Sequence, residues 1–79
     1  MRFSTWLKVQ IEDLEMDNKT AAKLFYCTRQ TLYRWLHDLS FPTMENLKII
    51  ASAIAMHRQT HIDYVLDEIA QTIKLELSN

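Results

Sequence analysis

Apolar residues recur at helical spacing along nearly the whole chain, and the polar residues between them mark where each helix starts and stops. Phe3, Leu7, Ile11 and Leu14 fall on one stripe of a first helix, with Ser4 as its N-cap. Asp17 and Asn18 break the stripe, and the side-chain oxygen of either can accept an exposed backbone N–H at the start of a second helix. That helix is short, about Asn18 to Phe25, with Ala21, Ala22, Leu24 and Phe25 on its buried side. After a brief break at Tyr26 and Cys27, Thr28 caps a third helix over roughly Arg29 to His37. Leu32, Trp35 and Leu36 share its inner face, which leaves Arg29, Gln30, Tyr33, Arg34 and His37 pointing outward.

The linker DLSFP ends at Pro42, and Thr43 caps a fourth helix whose apolar stripe is Met44, Leu47, Ile50, Ala51 and Ile54. A second break at His57 to Gln59 leads to Thr60, which with Asp63 resembles a capping box. The last helix, about His61 to Leu77, carries Ile62, Val65, Leu66, Ile69, Ile73 and Leu77. With no Gly and a single Pro, the turn chemistry of hairpins is nearly absent, so the expected class is all-α, a compact five-helix unit. A chain of 79 residues supports one hydrophobic core.

Composition changes this picture little, but charge placement changes it more. The chain is 48% hydrophobic, enough to fold, and its net charge of −1 does not by itself suggest a nucleic-acid partner. Residues 1–17 hold two basic against four acidic residues, and residues 57–79 hold the same balance, so each flank is −2. Residues 18–56 hold five basic against two acidic, a local +3 of the kind that phosphate contact requires. Cys27 stands alone, so no internal disulfide is expected, and at its position it reads as a small buried hydrophobe. Acids within the first helical pattern argue against a secretory signal or membrane span, and a cytoplasmic location is expected.

Two short helices joined by a tight turn, followed by a third, describe a helix-turn-helix between Asn18 and Ala55. The run AAKLFYCTRQTLYRWLHDLSFPTMENLKIIASAIA resembles the Cro and phage-repressor (XRE-type, lambda-repressor-like) family. Ala22 matches the small residue where two helices cross, Cys27 and Leu32 the apolar plugs, and Trp35, Pro42, Leu47, Ile50 and Ala51 the remainder in order. The family's turn Gly is Tyr26 here, and a left-handed conformation at that residue would cost about 1 kcal/mol or more. Leu36, Leu39 and Phe41 stand where polar, Gly or basic residues are usual, and are expected to cover extra core or a partner.

The resemblance implies a helix-turn-helix domain over residues 1–56, and residues 57–79 are expected to form a C-terminal helix whose own apolar stripe makes it a candidate dimerisation element. It implies a transcriptional regulator, a repressor in the first instance, that binds double-stranded operator DNA in a bacterial or phage-infected cell. Thr28, Arg29, Gln30, Tyr33, Arg34 and His37 would then face the major groove. Arg pairs bidentately with guanine and Gln with adenine, so Gln30 and Arg34 are the expected base readers. Lys19, Lys23, Thr28 and Tyr33 are the expected phosphate contacts, helped by exposed N–H groups at the start of the second helix.

Other chemistry finds less support. Trp6 and Trp35 sit at core positions. His57 and His61 are four apart, but a helix start falls between them and no third ligand lies nearby, so no metal is expected. No nucleophile, base and orienting acid can be picked out, so neither catalysis nor a cofactor is expected. Ile62, Leu66, Ile69 and Ile73 make a seam that Val65 and Leu77 widen, which points to a homodimer on a palindromic site with half-sites about 34 Å apart. The rival reading is an antitoxin or adaptor that uses the same scaffold to hold a partner protein, motivated by the acidic flanks and by Leu36, Leu39 and Phe41.

Overall fold

Four of the helices begin where the chain offers an extended residue, and three of those starts carry a side-chain cap. A computed structural model describes the chain through residue 78, and its side chains through Ile73. α1 (Phe3–Asp13) starts after Arg2 with no side-chain cap, because Ser4 lies inside the first turn and is buried rather than at the entry. α2 (Asn18–Leu24) is capped by Asp17, whose carboxylate accepts the Thr20 N–H at 2.8 Å. α3 (Arg29–Leu36) is capped by Thr28, whose hydroxyl oxygen accepts the Thr31 N–H at 3.0 Å.

α4 (Met44–Arg58) opens with a reciprocal capping box. The Asn46 N–H donates to Thr43 Oγ1 at 3.2 Å and the Thr43 N–H to Asn46 Oδ1 at 3.3 Å. α4 runs two residues into the break expected at His57 to Gln59, ending at Arg58 and closing on a left-handed Gln59. Met44 turns to solvent instead of joining the α4 stripe. α5 (Ile62–Ser78) does not use the expected Thr60 and Asp63 box; the Asp63 N–H donates to the His61 ring Nδ1 at 3.2 Å.

The ends of the helices share one device. Glu15, Tyr26, Asp38 and Gln59 have φ between 54° and 58°, each at or just past the end of α1, α2, α3 or α4. In each case the next N–H reaches back five residues: Met16 to Ile11, Cys27 to Ala22, Leu39 to Arg34, and Thr60 to Ala55. Glycine ordinarily takes this left-handed position because it has no Cβ, and a chain without glycine carries the strain four times.

Phe25, Leu7, Leu32, Ile50, Ile54 and Val65 are fully enclosed and form the centre of a single core to which all five helices contribute. Each such side chain contributes about 1.5–3 kcal/mol by leaving water. Val65 and Ile69 belong to this core, so α5 is part of the same folded unit as α1 and α4.

A polar clip ties three helices at its edge. The Arg58 guanidinium at the end of α4 donates to both Glu68 carboxylate oxygens, at 2.6 and 3.2 Å, and to Gln10 Oε1 on α1. The Trp6 indole N–H completes the set by donating to Glu68 Oε1 at 3.1 Å.

Candidate nucleic-acid interface

The geometry of α2 and α3 follows from small residues on one side and a tight turn on the other. Ala21 and Ala22 are buried and present almost no bulk, which lets α2 lie close against α3. Phe25 plugs the core, Tyr26 turns left-handed at φ 54°, and Cys27 is half-buried against the core. Burial pushes the Cys27 thiol up from its ordinary pKa, so it stays protonated and poorly nucleophilic.

α3 then divides by face. Leu32, Trp35 and Leu36 are buried against the core. Arg29, Gln30, Tyr33 and Arg34 are exposed, as are Thr28 at the entry and His37 at the exit. Leu36, expected to cover either extra core or a partner, is spent inside the chain.

The exposed rod is not featureless. Asn18 at the start of α2 joins Arg29, Gln30 and Tyr33 around a shallow cleft of about 350 Å³. Sequence reading gave Asn18 only a capping role, because its approach to α3 depends on how the two helices are folded together. The His37 ring stacks on that of Tyr33, with centroids 3.9 Å apart, and its Nδ1 lies 3.0 Å from the Tyr33 carbonyl oxygen.

Basic side chains gather on this side, with one acidic residue among them. Lys19, Arg29 and Arg34 are exposed and have no ion-pair partner among the described residues. Asp17 sits close enough to Lys19 and Arg29 to feel both charges. Its carboxyl is held below the usual range, first by the Thr20 backbone N–H and side chain and then by these cations.

The remaining expected site residues separate. Lys23 is exposed on α2 but lines a different surface, a groove shared with α4 and α5. Of the expected dimer residues, Val65 and Ile69 are 0% and 2% exposed in the single chain. Their side chains are consumed by the chain's own core and are not available to a second copy, a correction that follows from α5 folding back onto α1 and α4. Ile62, Leu66 and Ile73 are half-buried at the core's margin. Leu77 lies outside the described side chains.

Beyond α3, Leu39 is 60% exposed and Phe41 48% exposed, with the Phe41 ring 5.0 Å from that of Phe3. No group of three His, Cys, Asp or Glu among the described residues could hold a metal ion. Among the same residues, no helix is long and apolar enough to cross a membrane. Compared with protein-family models, curated proteins and solved structures, the chain has no significant match.

Proposed function

We propose that this chain is a sequence-specific DNA-binding regulator, acting as a repressor, that lays α3 in the major groove of a duplex operator. The observation that carries this reading is the division of α3. Leu32 and Trp35 anchor one face in the core, while Arg29, Gln30, Tyr33 and Arg34 are exposed on the other, and neither arginine is in an ion pair among the described residues. An α-helix fits the major groove, and Gln and Arg there can each pair bidentately with one base edge.

Lys19, Thr28 and the start of α2 flank this rod and suit phosphate contact, which fixes register without reading sequence. A cytoplasmic setting and a homodimer on a palindrome belong to the same proposal. With Val65 and Ile69 withdrawn, Ile62, Leu66 and Ile73 are the residues of the expected seam left to meet a second copy. No catalytic step, cofactor or metal enters this reading.

The test is to titrate the full chain into the DNA upstream of its own gene and into random duplex, at two salt concentrations. Preference for the upstream duplex that persists at the higher salt supports the reading. Equal affinity for both, falling together with salt, would leave only non-specific phosphate binding.

One observation favours a second reading. Leu39 and Phe41 place exposed apolar surface beside α3, as a module that holds a partner protein would. Stable co-purification with the product of a neighbouring gene, without DNA preference, distinguishes this antitoxin or adaptor role.

A further inference from the structure

Away from the outer face of α3, the walls of α2 and α4 and the first turn of α5 enclose an open groove of about 810 Å³. Its floor is apolar, built from Leu24, Ile49, Ala53 and Ile62. Lys23 stands on the α2 wall and Lys48 on the α4 wall, both exposed and neither in an ion pair among the described residues. Tyr26 and Met56 extend the apolar surface and are 82% and 76% exposed.

We propose that this groove docks an amphipathic helix of another protein, with acidic side chains along both edges of its apolar stripe. Length supports a helix as occupant. The α4 wall from Lys48 to Met56 rises roughly 12 Å, and residues at i and i+7 of a docked helix stand about 10.5 Å apart. Ser52 and Ala53 are small, which leaves room for the incoming side chains.

Charge selects the partner. A lysine on each wall calls for a carboxylate on each edge of the stripe, which a neutral or basic helix lacks. A second copy of this chain is a poor occupant. Its amphipathic last helix, α5, already gives Val65 and Ile69 to the chain's own core, which leaves only the half-buried Ile62, Leu66 and Ile73 of that stripe among the described residues.

The groove has no lining residue in common with the outer face of α3, so the inference does not depend on that face reading DNA, and it shares only Ile62 with the proposed dimer seam.

The experiment is fluorescence anisotropy with the full chain and two labelled synthetic helical peptides of about 14 residues. One has leucines at i, i+3 and i+7 edged by glutamates; the other has lysines in place of the glutamates. The acidic peptide is expected to bind at least about tenfold more tightly. The double variant K23E/K48E reverses that preference. Met56→Glu, at an exposed position, weakens acidic-peptide binding several-fold with unchanged circular dichroism, and Ala53→Glu does so from the floor.

Equal binding of the two peptides, no binding of either, or indifference to K23E/K48E overturns the proposal. So does sedimentation showing that the chain self-associates and that Met56→Glu dissociates it, because the occupant is then a second copy.

Discussion

The imidazole of His37 lies over the phenol of Tyr33, their planes 21° from parallel, one helical turn apart at the end of α3. The stack fixes the direction of a tyrosine that is 54% exposed and close to Arg29 and Gln30 in the same cleft. The His37 ring is committed to Tyr33 and its Nδ1 to the Tyr33 carbonyl, so on the proposed DNA-binding reading it would act by positioning Tyr33.

His37→Ala is expected to weaken DNA binding by about two- to fivefold, the loss of an exposed aromatic contact of about 0.5–1 kcal/mol. The loss should be the same for preferred and random duplex. A change in which sequence is preferred would instead place His37 on a base edge.

Asp17 caps α2 and faces the same cations that DNA would use. Asn keeps the side-chain oxygen needed for the cap and removes the negative charge. Asp17→Asn should therefore raise affinity for every duplex several-fold and steepen the dependence of affinity on salt, measured by anisotropy at several salt concentrations. Unchanged affinity would place the DNA elsewhere than against the start of α2.

Tyr26 holds a left-handed backbone with its ring largely in water, so little packing opposes its removal. Tyr26→Gly should stabilise the fold by about 0.5–1 kcal/mol, read as a higher urea midpoint with unchanged slope. Asp38→Gly and Glu15→Gly should act in the same direction, because each removes the same Cβ conflict. A lower midpoint in Tyr26→Gly would mean that its ring packs in a way the exposed geometry does not show.

The Glu68 carboxyl is held below its ordinary pKa of 4.5, first by the Arg58 hydrogen bond, with the Trp6 N–H adding and burial opposing. For a carboxylate whose folded pKa is lowered, the stabilisation is complete above the unfolded value and is lost as pH falls through the folded one. Its side chain is 41% exposed, so water screens the pair and the contribution stays under about 1 kcal/mol. Glu68→Gln should lower stability slightly at neutral pH and flatten its decline below about pH 4.5, followed by thermal melts across that range. Parallel pH profiles for the two proteins would contradict the clip.

These contrasts show what the sequence made legible. The α3 cap and its Leu32 and Trp35 anchors were readable because both depend on local spacing, three to four residues at a time. The same holds for Thr43 before α4, although its partner Asn46 is not the usual Glu or Gln. The clip was not readable, because Trp6 and Glu68 stand 62 positions apart and meet only once α5 folds back onto α1. For the same reason the α5 stripe looked like an open seam, when Val65 and Ile69 fill the chain's own core. The left-handed helix ends were legible at Tyr26 alone, where resemblance supplied a missing glycine. At Glu15 and Gln59 the residue types give no such signal, and at Asp38 only a weak one.

The most direct test of the exposed face of α3 is selection of bound duplexes from a random pool by the full chain, run in parallel with Gln30→Ala and Arg34→Ala. The wild type should enrich a palindrome whose half-sites are about 34 Å apart, and each variant should lose preference at one base pair per half-site, worth about 1–3 kcal/mol, with helicity unchanged. Recovery of an unenriched pool by the wild type, or of the same motif by all three proteins, would contradict the assignment of this face to sequence reading.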